Sequence, residues 1–251
     1  MRPLSIPAPD GVIDALVFVP DGAGPHPAVL LFSDIGGLRS SYHDKAQRIA
    51  DGGYAVLMPN IYYRSAAGQV VPAGRSFRDP DMRNMLLGYA AHLTPLAQAR
   101  DFAALLAAIA ADPAFADGAI GTVGYCMTGA FALRLAALHP DRVGAAAAFH
   151  AARLADGNDP DSVVHAVGGI AARVYLGHAD RDALMPPEQI AAMDRALAEA
   201  GVHFTTELYK GALHGFTATD APVYSPAADA LHFKRLFTLL DETLGDSSVL
   251  F

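Results

Sequence analysis

Short β-branched runs alternate with longer Ala- and Leu-rich runs along this chain, and that alternation restricts the fold more than any single residue does. Val12–Val19, Ala28–Phe32, Ala55–Met58, Ala119–Gly124, Val143–Phe149, Arg173–Leu176 and His203–Tyr209 read as strands. Ser41–Gly52, Met127–Leu138, Pro187–Ala200 and Pro226–Leu244 read as helices between or after them. A further helix opens at Thr94-Pro95 and runs to about Ala111, because Thr can cap a helix and Pro suits its first position. Strands joined through helices pair in parallel, and a parallel sheet needs cover on both sides. The expected class is therefore α/β, with a mostly parallel central sheet and helices on both faces.

Two stretches break the rhythm. Ile61–Leu93 is rich in Gly, Pro, Arg and Tyr, and Arg153–Gly169 is rich in Asp and Gly. Both follow expected strands, which places them over the carboxyl end of the sheet, where open α/β folds bind ligands. No internal repeat, low-complexity tract or linker divides the sequence, so residues 1–251 are expected to form a single domain.

Composition narrows the function classes. The 251 residues are 52% hydrophobic and 18% charged, enough to bury a sizeable core. A formal net charge of -8 disfavours a polyanionic partner, so no nucleic-acid role is expected. Met1–Asp10 lacks the apolar core of a signal peptide, and no apolar run is long enough to span a bilayer. The expectation is a cytoplasmic protein with no membrane partner, as a monomer or small homo-oligomer. One cysteine, Cys126, permits neither an internal disulfide nor a Cys-rich metal site.

That cysteine sits in the most informative segment. Gly124-Tyr125-Cys126-Met127-Thr128-Gly129 lies between an apolar strand and a helix. It has the form of the G-x-S-x-G nucleophile elbow of α/β-hydrolases, with Cys for Ser, Thr128 at the second glycine position and Gly129 just beyond. A sharp strand-to-helix turn exposes the central side chain, and the helix N-terminus favours a thiolate. The Met127 N–H then points at a developing oxyanion. The competing reading is a cysteine buried for packing.

A cysteine nucleophile needs a base, and the base needs an orienting carboxylate. His150, His165, His178, His203 and His214 follow Cys126 at a useful distance. His214, in the Gly-flanked loop Gly211-Ala-Leu-His-Gly-Phe after the last expected strand, fits the order nucleophile, acid, histidine. Asp180 and Asp182 are the candidate acids; Asp182, four residues before Pro186, is favoured, and the other is left as a loop or capping carboxylate. His150 opens the second irregular segment and is a candidate pocket residue, with a packing role as the alternative.

With these residues in place, the chain resembles the dienelactone hydrolase family over nearly its whole length. Phe32-Ser33-Asp34-Ile35-Gly36-Gly37, Gly53-Tyr54-Ala55-Val56-Leu57-Met58-Pro59-Asn60-Ile61-Tyr62 and Gly211-Ala212-Leu213-His214-Gly215-Phe216 carry the resemblance beside the elbow. It implies an α/β-hydrolase fold and a carboxylic ester hydrolase that opens an ester or a dienelactone-like enol lactone. It implies a triad of Cys126, His214 and Asp182, an oxyanion hole from the Ile35 and Met127 N–H groups, and no cofactor or metal. Asp34 stands where the family has a glutamate that supports the thiol, one methylene shorter. Arg83 and Arg64 are the candidates for a substrate carboxylate; Phe216-Thr217-Ala218 lacks the family's arginine after the histidine loop. The alternatives are a Cys-dependent esterase or thioesterase for another acyl substrate, a non-catalytic binding protein on the same fold, and a zinc hydrolase, for which no ligand spacing is found.

Overall fold

The computed structural model describes residues 1–245. Residues 246–251 of the expected 1–251 domain lie outside the described residues. The chain divides into two compact units, Met1–Asp117 and the part that begins at Gly118.

The first unit holds β1 (Arg2–Ala8), β2 (Gly11–Phe18), β3 (Ala28–Phe32), α1 (Ser40–Asp51), β4 (Ala55–Pro59), α2 (Pro80–Ala90) and α3 (Pro95–Ala111). Its strands lie in the order β1-β2-β4-β3. β1 pairs antiparallel with β2, β2 antiparallel with β4, and β3 parallel with β4. Every residue of β3 and β4 is buried. A strand with no exposed side chain on either side is covered on both faces, which is why these runs are uniformly apolar rather than alternating. α3 starts where Thr94 Oγ1 accepts the Ala97 N–H (3.2 Å) and Pro95 occupies the first turn.

The second unit holds β5 (Ile120–Tyr125), α4 (Gly129–Leu138), β6 (Val143–Phe149), β7 (Arg173–Arg181), α5 (Pro187–Glu199), β8 (Phe204–Leu213) and α6 (Pro226–Leu244). Its strands run β5-β6-β7-β8, all parallel. All of β5 and Ala145–Phe149 of β6 are buried. The alanine run of β6 lets α4 approach closely: a Cβ on Gly129 would lie 2.5 Å from Ala151 Cβ and 3.2 Å from Ala148 Cβ. Parallel strands carry their carboxyl ends on one edge of this sheet, and Cys126, His150, Asp182 and His214 all follow those ends.

Several elements depart from the sequence reading, among them β8, which runs past the expected Tyr209 to Leu213 and so takes Gly211–Leu213 out of the expected histidine loop. β1 is not among the expected strands; it carries Pro3 and Pro7. It is the outermost strand, where one side needs no ladder hydrogen bonds and proline is tolerated. α2 lies inside the expected irregular stretch Ile61–Leu93; it buries only Leu86 and gives little amphipathic signal. β7 runs five residues past Leu176 to Arg181. Among the described residues no helix is long and apolar enough to cross a membrane.

Candidate active site

The elbow is a product of its small residues. Cys126 has a left-handed backbone (φ 57°), a conformation that costs a non-glycine residue about 1–3 kcal/mol and persists only where the surroundings enforce it. One turn of 3₁₀ helix, Cys126–Thr128, links β5 to α4. A Cβ on Gly124 would sit 2.0 Å from the Thr128 carbonyl oxygen, so this position excludes every other residue. Thr128 is not a degraded glycine position. Its Oγ1 accepts the Tyr125 N–H and donates to the Tyr125 carbonyl, both at 2.9 Å, and so closes the turn. The second close approach has moved one residue on, to Gly129.

Next to the elbow, His214 lies between Asp182 and Cys126. Its Nδ1 lies 2.7 Å from Asp182 Oδ2 and its Nε2 lies 3.1 Å from Cys126 Sγ. Asp182 accepts the Leu184 N–H on its other oxygen (2.9 Å), and its side chain is 1% exposed. Asp180 instead accepts the Gly211 N–H (2.8 Å). Burial alone would lower the His214 pKa. The hydrogen bonds and charges of Asp182 and Cys126 outweigh it and raise the imidazole to about 10. The arrangement therefore favours the protonated imidazole.

The residues after β6 tie these loops together. The N–H groups of His150, Ala152 and Arg153 donate to the carbonyls of Gly177 (2.7 Å), Cys126 (3.1 Å) and Leu184 (2.7 Å). His150 and Arg153 both have positive φ (38° and 53°). The His150 ring is buried, 2.8 Å through Nε2 from Thr217 Oγ1, and packs edge-on to His214 at 5.5 Å between centroids. His178 is also buried, and burial lowers it to about 4 against the opposing charge of Asp182.

The remaining sequence candidates belong to the first unit. Asp34 is buried and receives a bidentate ion pair from Arg39 (2.5 and 2.8 Å) and the Gly36 N–H (2.8 Å). Burial would raise its pKa, but the Arg39 charge and hydrogen bond and the Gly36 N–H hold it below the usual carboxylate value. Ile35 accepts the Tyr62 hydroxyl on its carbonyl (2.8 Å). Arg64 is shared between Asp101 (2.8 Å on both oxygens) and Asp10 (2.8 Å). Arg83 has no carboxylate partner among the described residues; it covers the Phe77 ring and donates to the Phe77 carbonyl (3.3 Å). The sequence reading did not pick out Arg39, Thr128 or Thr217. Only Thr128 carried a signal, as a hydrogen-bonding residue where the elbow pattern has glycine.

Among the described residues no group of three or more His, Cys, Asp or Glu side chains stands together as metal ligands would. The sequence matches the dienelactone hydrolase family over residues 13–244. A Synechocystis sp. protein provisionally named a carboxymethylenebutenolidase is 26% identical over 93% of this chain and 94% of its own length. The carboxymethylenebutenolidase of Rhodococcus opacus is 26% identical over 81% of this chain and 75% of its own. A crystal structure from Klebsiella pneumoniae, provisionally named a dienelactone hydrolase, superposes with a TM-score of 0.82 at 20% identity, covering 96% of this chain and 98% of that one. That likeness establishes the α/β-hydrolase fold. The chain belongs to the dienelactone hydrolase family.

Proposed function

We propose that this protein hydrolyses an ester or lactone, of the dienelactone-like enol lactone type, through a Cys126–His214–Asp182 triad and a thioester intermediate. The observation that carries the reading is His214, held between Asp182 at 2.7 Å and Cys126 at 3.1 Å on a strained elbow. The family match over residues 13–244 spans residues of both units.

In the first half-reaction the Cys126 thiolate forms a bond to the substrate carbonyl carbon, and the carbonyl π pair moves onto oxygen. The Met127 N–H at the start of the turn stabilises that oxyanion; the family resemblance assigns the second donor to the Ile35 N–H. Collapse expels the enolate or alkoxide, which takes the Nε2 proton of His214. In the second half-reaction His214 accepts a proton from water, hydroxide adds to the thioester carbon, and collapse returns the thiolate. Asp182 holds the ring in place and balances its charge throughout. A thiolate is a good leaving group as well as a good nucleophile, which suits activated esters and enol lactones better than amides.

Of the two arginine candidates, we assign a substrate carboxylate to Arg83. Arg64 already has two carboxylates, and releasing it would strip Asp10 and Asp101 of their partner. For an anionic ester, Arg83→Ala is expected to raise KM about fivefold with little change in kcat. Arg64→Ala is expected to lower Tm and leave KM alone. Asp34, with both oxygens on Arg39, is assigned to holding its own loop.

The test is turnover of p-nitrophenyl acetate and of an enol lactone, with rapid quench and mass spectrometry of the protein. An acyl adduct on Cys126 that forms and decays at the turnover rate is expected. Turnover without an adduct, or an adduct elsewhere, would refute the thioester route.

A further inference from the structure

Tyr125, the residue before the nucleophile, heads a second hydrogen-bonded row. Its Oη lies 2.9 Å from His232 Nε2. His232 Nδ1 lies 3.2 Å from Asp229 Oδ1, and Tyr224 donates its hydroxyl to Asp229 Oδ2 at 3.2 Å. Tyr125 and His232 are 0% exposed and Asp229 is 4% exposed. Aromatic rings close around the row: His232 packs edge-on to Phe149 at 4.2 Å and to Tyr125 at 5.5 Å, and Tyr125 stacks on Phe149 at 5.9 Å. The acid fixes the imidazole proton on Nδ1, which leaves Nε2 to accept from the Tyr125 hydroxyl.

None of these groups belongs to the chemistry proposed for Cys126. A Tyr-His-Asp row this deeply buried is expensive unless each member is satisfied, and the same satisfaction makes it rigid. Its position gives that rigidity a use. The Tyr125 N–H and carbonyl are held by Thr128 Oγ1, and its side chain is held from α6 through His232. The peptide that joins Tyr125 to Cys126 is thereby fixed from the residue preceding it, while Ala152 fixes the Cys126 carbonyl following it. Cys126 keeps its left-handed φ only while the surroundings enforce it.

We infer that Tyr125, His232 and Asp229 are positioning residues: together they lock the peptide before Cys126 so that Sγ stays within hydrogen-bond reach of His214. The inference rests on the cysteine reading above and deepens it, since it concerns how the same nucleophile is held.

Tyr125→Phe removes one oxygen and keeps the ring in place. It is expected to lower kcat for p-nitrophenyl acetate about tenfold with KM within about twofold. Alkylation of Cys126 by iodoacetamide at neutral pH is expected to slow several-fold, because a displaced Sγ loses the His214 contact. Asp229→Asn, which leaves Tyr125 untouched, is the second variant and moves both readouts the same way by less. His232→Gln keeps an amide within reach of Tyr125 Oη and is expected to stay closer to wild type than His232→Ala. A purely structural role would lower Tm and leave the alkylation profile where it is. If wild type alkylates quickly and Tyr125→Phe shares its profile and kcat, the positioning role is overturned and the triad stands. If the wild-type thiol is itself slow and no ester turns over, the cysteine reading falls, and this inference with it.

Discussion

Two neighbouring residues of the same turn head two rows of the same composition, and only one row is built for charge. Cys126 leads to His214 and Asp182, and Tyr125 leads to His232 and Asp229. Each is a proton-bearing group, an imidazole and a carboxylate. In the first, the side chain of His214 is 24% exposed and Cys126 is half-buried, so substrate and water can arrive. In the second, every member is out of reach of solvent. Burial, and after it the charges of Asp229 and Tyr209, hold the Tyr125 hydroxyl well above its ordinary pKa, so it stays neutral. The His214 imidazole is instead raised to about 10 by its partners. The lesson is that an Asp–His pair does not by itself define chemistry. The acidity and access of the third group decide whether the pair moves protons or anchors structure.

The comparison breaks most directly at the two head groups. Cys126→Ala is expected to lower ester hydrolysis by about a thousandfold or more with Tm close to wild type, against about tenfold for Tyr125→Phe. A Cys126→Ala loss no larger than about tenfold, read by steady-state kinetics, would mean that Cys126 is not the nucleophile. The carboxylates sharpen it next. Asp182→Asn is expected to cost about a hundredfold to ten-thousandfold in kcat, because the amide cannot balance the imidazolium. Asp229→Asn is expected to cost only a few-fold, since it loosens a neutral hydrogen bond.

Two histidines outside the second row give a smaller effect, read by Tm against pH. His178 is lowered from 6.5 to about 4, so the unfolded chain binds its proton first as pH falls. Its contribution is present above about 6.5 and is lost between there and about 4, by up to about 3 kcal/mol. His214 has the opposite sign. It is raised from 6.5 to about 10, so its contribution is present below 6.5 and is lost as pH rises toward about 10. His178→Leu is expected to flatten the acid side of the stability curve alone. A curve unchanged on that side would mean that His178 is protonated or solvated in the folded protein.

The sequence made the parallel half of the fold legible, because fully buried strands such as Ile120–Tyr125 must be continuous apolar runs and helices such as Pro226–Leu244 begin with a cap and a proline. It hid β1, whose prolines are tolerated because no described strand pairs with its outer side, and α2, which buries one described residue. The elbow was legible from its glycines, which are demanded by clashes with Thr128 and Ala151 rather than by composition. The second row was not. Tyr125, Asp229 and His232 have no spacing that marks them, and they meet because α6 packs against β5, β6 and β7. Arg64 illustrates the reverse: next to two tyrosines it reads as a ligand-binding residue, and the fold gives it to Asp10 and Asp101.

The measurement that tests the central claim most directly is the rate of Cys126 alkylation by iodoacetamide against pH, in wild type and His214→Ala. The account predicts that wild type alkylates several-fold faster than free cysteine at neutral pH. It predicts an imidazolium signature that persists toward pH 10, and reversion of the variant to free-cysteine behaviour. A wild-type profile that follows free cysteine, unchanged by the loss of His214, would contradict the ion pair on which the proposed chemistry depends.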